Sequence, residues 1–188
     1  MKKVFLITFF LFFSFKVFSL EVTLTQGSVK PTPIAVTELF SKNAQLTKVG
    51  KNISTVISDN LERSGLFLPI DKRSFIQDNE SLSNKPRFED WKLIKAQHLV
   101  SGKISNNNGK ISVEFRLFDV FQQKQIVGKK YETNEKNWRR VAHIISDSIF
   151  KNITGEGGYF DTRIVYVAET GPKENKQKRL AIMDQDQS

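Results

Sequence analysis

The chain opens with a hydrophobic run that directly follows two lysines and cannot be counted toward a folded core. Lys2 and Lys3 form a short positive segment, and residues 4–15 are almost entirely Phe, Leu, Ile and Val. Such a start is typical of a secretory signal peptide, whereas a transmembrane helix needs about 20 apolar residues. We therefore predict a signal peptide over residues 1–19, cut after Ser19. The alternative is an uncleaved N-terminal membrane anchor.

Removal of this leader changes the composition of the mature chain. It takes away Lys2, Lys3 and Lys16 and so lowers the formal charge from +9 to +6. A basic chain can bind nucleic acid, but the remaining lysines are scattered and no basic segment carries interleaved aromatic residues for base stacking. The chain has no cysteine, and its two histidines lie in no metal-ligand spacing. The sequence therefore predicts no metal, no cofactor and no nucleic-acid partner.

The first half of the mature chain alternates between strand-like and helix-like segments. Residues 33–40 and 66–70 are apolar runs typical of buried strands, and residues 49–61 carry an apolar stripe at helical spacing. Residues 71–85 are polar and indicate a surface loop. A strand, a helix and a second strand are therefore expected before a long loop.

A second group of segments follows the loop. Residues 88–94 repeat apolar side chains at three-residue intervals, which predicts a short helix with Pro86 in its first turn. Residues 98–133 predict a meander of three strands, because the Asn-Gly pair at 108–109 is typical of a tight hairpin turn. The whole order predicts an α/β (α+β) fold, in which a mixed sheet of about five strands is packed by two to three helices.

The last helical pattern ends in a cluster of glycines. Apolar residues at helical spacing run from Trp138 to Ile149, after a candidate cap at Asn134. Residues 161–170 and 178–186 then form two strand-like segments with no helix between them. Because a lone hairpin is only marginally stable in water, they predict the start of a repetitive all-β domain. The glycines expected to end the helix and act as a hinge are Gly155, Gly157 and Gly158.

Several segments, taken in order, resemble one family. The segments are VTLTQGSVKPTPIAV (22–36), VISDNLERSGLF (56–67), FEDWKLIKAQHLVSGKI (88–104), VEFRLFDV (113–120) and TGEGGYFDTRIVYV (154–167). Together they resemble the TolB family of periplasmic propeller proteins of the Tol–Pal system. The resemblance implies that the α/β domain is followed by the first strands of a truncated β-propeller. Lys95 departs from the family, which tends to have Gly there.

The resemblance also divides the chain into four parts. They are a signal peptide (1–19), a flexible partner-binding arm (20–32), a TolB-like N-terminal α/β domain (33–155), and a hinge with the first strands of a β-propeller (156–188).

In the family the N-terminal arm engages the C-terminal domain of TolA. Alternation over residues 22–25 gives the arm one apolar face, and an unpaired backbone can add to an exposed sheet edge of another protein. The alternative is an edge strand of the protein's own sheet. The candidate TolA-binding residues are Leu20, Glu21, Val22, Thr23, Leu24, Thr25, Gln26 and Gly27.

The function that the resemblance implies is a non-enzymatic periplasmic adaptor, exported by the general secretory route and without an integral membrane span after signal cleavage. It would link the inner-membrane TolA complex to the outer-membrane lipoprotein Pal, which the propeller binds, and support envelope integrity and outer-membrane constriction during cell division. No catalytic residue is predicted, and His143 is interpreted as a half-buried packing residue.

The sequence leaves two other classes of function open. One is an accessory domain of a secreted propeller-bearing hydrolase, although the chain contains no G-x-S-x-G motif. The other is a basic nucleic-acid-binding domain, which the export signal disfavours.

Overall fold

The computed structural model describes residues 30–186, and every structural statement concerns that part of the chain. Two short 3-10 turns, at Lys72–Ser74 and Glu135–Asn137, accompany the longer elements. The longer elements are, in chain order, β1 (Thr32–Val36), α1 (Ala44–Arg63), β2 (Phe67–Pro69), α2 (Asn79–Asn84), α3 (Phe88–Leu93), β3 (His98–Asn107), β4 (Lys110–Asp119), β5 (Lys124–Thr133), α4 (Trp138–Thr154), β6 (Arg163–Thr170) and β7 (Gln177–Asp184).

Five of the strands form one mixed sheet in the order β2-β1-β3-β4-β5. β1 runs parallel to both of its neighbours, and β3, β4 and β5 form an antiparallel meander. The parallel pair β1 and β2 needs a crossover connection, which α1 provides. The predicted mixed sheet of about five strands is therefore confirmed.

The main core lies between one face of this sheet and the two long helices. α1 begins at an Asn43 cap, whose side chain accepts hydrogen bonds from the backbone N–H groups of Gln45 and Leu46. Burial of each large apolar side chain here contributes about 1.5–3 kcal/mol relative to exposure. The side chains that are fully buried in this core include Ile34, Ile53, Ile57, Leu61, Phe115, Leu117, Ile145 and Ile149.

A smaller core covers part of the opposite face of the sheet. Trp91 on α3 is completely buried there and packs with Leu99 of β3 and Phe118 of β4. Phe75 meets Trp91 edge to face, with ring centroids 5.1 Å apart. The polar segment before α3 therefore contributes directly to a core.

Two predicted segments differ from the structure. The strand expected over 33–40 ends at Val36, after which the Thr37 hydroxyl donates to the Val100 carbonyl at 3.0 Å and only Phe40 pairs with β3 again, opposite Lys103. The loop expected over 71–85 contains α2, which is capped by the Asp78 carboxylate accepting from the Ser81 N–H at 2.9 Å.

The starts of two helices also differ from expectation. Pro86 precedes the N-cap residue Arg87 of α3 and so lies outside the first turn. Asn134 stands directly before the 3-10 turn that precedes α4 but makes no side-chain capping hydrogen bond, and α4 begins at Trp138, also without a side-chain cap. In a sequence, a helix cap is recognised by its residue type alone. A short 3-10 turn in front of a helix moves the residue at which the α-helix begins, so the cap residue chosen from the sequence can be wrong.

The backbone at two predicted turns is as expected. Asn108 and Gly109 have φ angles of 51° and 79°, as a tight turn between antiparallel strands requires. Lys95, which replaces the usual glycine of the resembling family, has a φ of 59°. A non-glycine residue in this left-handed region is uncommon.

The remaining strands, β6 and β7, form a separate two-stranded sheet. Because directly opposed residues share a face, Val165, Val167, Leu180 and Ile182 form one apolar face, while Ile164 and Tyr166 lie on the other. All six side chains are exposed, and Leu180 is 80% accessible. Among residues 30–186, no helix combines the length and the apolar character needed to cross a membrane.

Candidate functional site

The residues predicted to bind TolA, Leu20 to Gly27, lie outside the described part of the chain. The described chain begins at Lys30, and the N–H of Thr32 already donates to the Leu66 carbonyl at 2.9 Å. The chain thus enters the sheet at β1, an interior strand. The assignment of residues 20–27 to partner binding stays a prediction.

The predicted hinge glycines follow α4 directly. Gly155 has a φ of 81°, and its N–H donates to the Lys151 carbonyl, so it ends the helix in the left-handed conformation that glycine adopts without cost. Gly157 has no heavy atom near the position of a Cβ. Their role as a hinge stays a prediction.

Gly158 touches the side chain of Asp147 on α4. A Cβ at Gly158 would overlap the Asp147 carboxylate and lie 2.5 Å from the Asp147 Cα, so the backbone of α4 would have to shift to admit it. The same carboxylate accepts hydrogen bonds from the backbone N–H groups of Phe160 (2.7 Å) and Asp161 (3.1 Å). The chain after α4 is therefore folded back against the helix, and Phe160 is completely buried.

A buried polar network connects α1 to α4 beside this turn. The amide Nδ2 of Asn60 lies 2.9 Å from His143 Nδ1 and 3.0 Å from Ser146 Oγ. On the other side of the amide, the Arg63 guanidinium donates to Asn60 Oδ1. Asn60 is completely buried and His143 is 2% exposed, so these groups depend on one another for hydrogen bonds.

The network continues to the end of the hairpin. Asp186, two residues beyond β7, accepts a hydrogen bond from the Arg139 guanidinium, and its carboxylate lies 3.5 Å from His143 Nε2. His143 Nε2 itself makes no hydrogen bond at this distance. We name Asn60, His143, Arg139 and Asp186 the seam, because they join α1, α4 and the end of β7.

Burial sets the protonation of His143. Loss of water around the imidazole lowers the pKa of His143 below its usual value; the Asp186 carboxylate opposes this change and Arg139 reinforces it. Near neutral pH, His143 is therefore an uncharged imidazole.

Two residues of the seam and the neighbouring Asp184 form the one group of His, Asp or Glu side chains among residues 30–186 whose ligand atoms lie close enough for a metal ion. These atoms, on His143, Asp184 and Asp186, all lie within 4.8 Å of one another. Two features argue against a metal there. The Arg139 guanidinium already occupies the Asp186 carboxylate, and Asn60 Nδ2 donates to His143 Nδ1, which leaves the proton on the Nε2 that would have to bind the ion.

Sequence reasoning missed the seam. His143 was interpreted as a half-buried packing residue, whereas it is buried and hydrogen-bonded to another helix. One signal was present: Asn60 follows Val56 and Ile57 at helical spacing, so a polar residue occupies the apolar stripe of α1. A polar side chain on a buried stripe requires a buried partner.

The fold is a mixed α/β domain that passes, through the turn held by Asp147, into a β-hairpin with two apolar faces. The model of the TolB amino-terminal domain matches residues 20–126. The chain belongs to the TolB family.

Two curated relatives support this assignment. The chain is 50% identical over 167 residues to the Tol-Pal system protein TolB of Paramagnetospirillum magneticum, which covers 88% of this chain and 37% of the relative. It is 47% identical over 192 residues to the Tol-Pal system protein TolB of Pelagibacter ubique, covering 97% of this chain and 43% of the relative. The chain thus spans about two fifths of the length of these relatives.

A solved structure has the same fold. The crystal structure of TolB from Acinetobacter baumannii superposes with a TM-score of 0.70 at 23% identity, covering 84% of this chain and 37% of that one. The mixed α/β fold predicted from the sequence is confirmed, and a two-stranded sheet follows it, as expected for the start of a propeller.

Proposed function

We propose that this chain is the N-terminal part of a non-enzymatic periplasmic adaptor of the Tol–Pal system. It is exported by the general secretory route, binds the inner-membrane protein TolA through its N-terminal arm, and is continued by a propeller that binds the outer-membrane lipoprotein Pal. The observation that carries the proposal is the family match over residues 20–126, which begins at the first residue of the arm. Coupling of the two membranes would support envelope integrity and constriction at division.

The arrangement of the sheet supports a separate arm. β1 is an interior strand, second in the five-strand order, so an arm joined to it at Thr32 would not extend an edge strand of the sheet. Pro31 and Pro33 have no N–H group, which limits further strand pairing at this point. An extended segment with one apolar face is suited to adding a strand to the sheet edge of TolA.

The apolar hairpin supports the rest of the proposed domain organisation. A two-stranded sheet with two apolar faces needs further protein packed on each face. In a propeller, the neighbouring blades pack on the two faces of each blade in this way. The proposal therefore assigns residues 156–188 to a connection and the first propeller strands, after the α/β domain of residues 33–155.

A binding titration tests the role of the arm. The intact chain is titrated against the isotope-labelled C-terminal domain of TolA, and chemical shift changes are followed. We expect saturable binding that is lost when Val22→Asp and Leu24→Asp are combined, because two charges replace the apolar face.

The matched control places the same charges on the opposite face. Thr23→Asp with Thr25→Asp changes the net charge by the same amount, and we expect it to keep most of the affinity. Equal loss in both double variants, or no binding by the unmodified chain at millimolar concentration, would remove the arm from the proposed function.

A further inference from the structure

One edge of β3 loses its neighbouring strand before β3 ends. β1 pairs with this edge up to Val100, and Phe40 meets it once more opposite Lys103. Beyond that point, no strand among residues 30–186 covers the edge. We propose that this open edge and the pocket beside it, which we call the notch, bind the C-terminal end of a partner protein. This goes beyond the adaptor function and involves neither TolA nor Pal.

Three backbone groups point into the notch. The Ile104 N–H donates to the Phe40 carbonyl at 2.9 Å, so the C=O of Ile104 points toward the same edge. Two residues further along β3, the N–H and C=O of Asn106 point there as well. Within the described part of the chain these three groups make no backbone hydrogen bond. They can therefore pair with an added strand.

A pocket of about 370 Å³ lies beside these groups. It is formed between the chain that leads into α1 and the last residues of β3. Its apolar lining comes from Phe40, Leu46 and Ile104, of which Phe40 is half-buried. A volume at the lower end of the range for ligand pockets suits one or two residues of a peptide rather than a long segment.

The charges at the notch favour a carboxylate. Lys42 and Lys103 both line the pocket, and neither takes part in a salt bridge among residues 30–186. Among the described residues of the lining, Glu114 is the one acidic side chain, and it lies opposite Lys103 across β3 and β4. One of the two positive charges is left without a counter-charge. Hydrogen bonds between an ammonium group and a carboxylate are stronger than neutral ones.

The shape of the notch favours a chain end over an internal segment. After Phe40 the chain leaves the sheet, and residues 41–43 line the pocket ahead of α1. These residues bound the notch at the Phe40 end, so a peptide that pairs with Asn106 and runs toward Phe40 has to stop there. Its terminal carboxylate then lies near Lys42 and Lys103. The bound peptide therefore runs antiparallel to β3.

Both ends of the described chain lie away from the notch. Ile34, near the start of β1, pairs with His98, which is about 26 Å along β3 from Asn106. The other end, at Asp186, lies in the seam with Asn60, about 24 Å along α1 from the first residue of that helix. The notch therefore suits an occupant that belongs to another protein.

A peptide titration tests the notch. The probe is N-acetyl-Ala-Thr-Val-Leu with a free carboxylate, added to the isotope-labelled intact chain while backbone amide shifts are followed by NMR. We expect saturable shift changes centred on residues 105–107. The same peptide with a C-terminal amide should bind at least about tenfold more weakly, because it brings no charge to the two lysines.

Substitution of both lysines tests the recognition of charge. Lys42→Gln combined with Lys103→Gln should weaken binding of the carboxylate peptide about tenfold. The matched control is Lys48→Gln with Lys51→Gln on the exposed face of α1, which removes the same net charge. This control should keep the affinity of the unmodified chain. Equal weakening by the two double variants would overturn the proposal.

A proline tests the backbone pairing without a change at either lysine. Asn106→Pro removes an N–H that bonds to no other described backbone group, and proline is tolerated at such edge positions, so the hairpin should still fold. We expect this variant to lose the peptide. Asn106→Ala keeps the N–H and should keep the affinity, although both variants lose the side-chain bond to the Gly109 N–H. Equal affinities of the two variants would contradict strand pairing.

Other outcomes of the titration would also overturn the proposal. They are no saturable binding of the carboxylate peptide at millimolar concentration, shift changes centred away from the notch, and equal affinities of the carboxylate and amide peptides. Shifts at Asn106 that grow with protein concentration alone would place a second copy in the notch. Changes at residues 20–27 on addition of the peptide would place the chain's own arm there, and either result would exclude a separate partner.

Discussion

Gln77 holds together the segment that covers the second face of the sheet. Its Oε1 accepts hydrogen bonds from the Arg87 N–H (2.8 Å) and from Trp91 Nε1 (3.2 Å), and its Nε2 donates to the Lys85 carbonyl (2.9 Å). Gln77 is 4% exposed and Trp91 is fully buried. The amide thus satisfies the indole N–H of Trp91, whose hydrogen bond is buried.

We predict that Gln77→Leu destabilises the chain by about 2 kcal/mol, because an unpaired buried donor costs about 1–3 kcal/mol. Urea denaturation followed by tryptophan fluorescence measures the loss. The control is Gln45→Leu, which removes only an exposed contact with Glu135 at 3.5 Å and should change the free energy of unfolding by less than about 0.5 kcal/mol. Equal effects of the two variants would contradict the role given to Gln77.

Single residues of this kind are the least predictable from sequence. Trp91 is an exception, since a large aromatic residue on a helical stripe is seldom exposed and its burial follows from the sequence pattern. Gln77 lies in a polar segment, and its partners depend on how that segment folds. His143 depends on Asn60, which is 83 residues away in the chain.

At the scale of elements, the absence of a side chain at Gly102 lets β3 lie close to β4 and to Leu39. A Cβ at this position would lie 2.0 Å from the Glu114 carbonyl oxygen and 2.7 Å from Leu39 Cδ2. The first contact is with the backbone of β4, which cannot rotate away. The residue is therefore required to be glycine by packing rather than by its φ angle.

We predict that Gly102→Ala destabilises the fold by about 1–3 kcal/mol through overpacking. Gly128→Ala on β5 is the matched variant, because its Cβ would meet only the mobile end of Gln125, at 2.7 Å. It should stay within about 0.5 kcal/mol of the unmodified chain. The stability lost by each variant is measured by thermal unfolding. A loss of stability in Gly128→Ala as large as that in Gly102→Ala would contradict this account of the packing.

Long elements in which apolar residues recur at regular spacing can be predicted from the sequence, whereas short elements cannot. α1 was expected because its buried side chains recur over 20 residues, and the β3–β4 hairpin because an Asn-Gly pair selects a tight turn. α2 has six residues and a single large buried side chain, Leu82, so no period could be seen. Its cap at Asp78 is typical of turns as well as of helices.

At the scale of the whole molecule, the strand order β2-β1-β3 joins segments that are distant in sequence. The antiparallel meander follows from short turns, but the interior position of β1 comes from two parallel pairings that a sequence pattern does not specify. That position matters for the proposed function, since the proposed arm would join an interior strand rather than an edge strand.

Hydrogen exchange of the intact chain, measured with and without the C-terminal domain of TolA, tests the adaptor proposal most directly. The proposal predicts that TolA slows exchange in peptides that cover residues 20–27 and leaves β3 and β4 unchanged. New protection confined to the five-stranded sheet, or no change anywhere at saturating TolA, would contradict it.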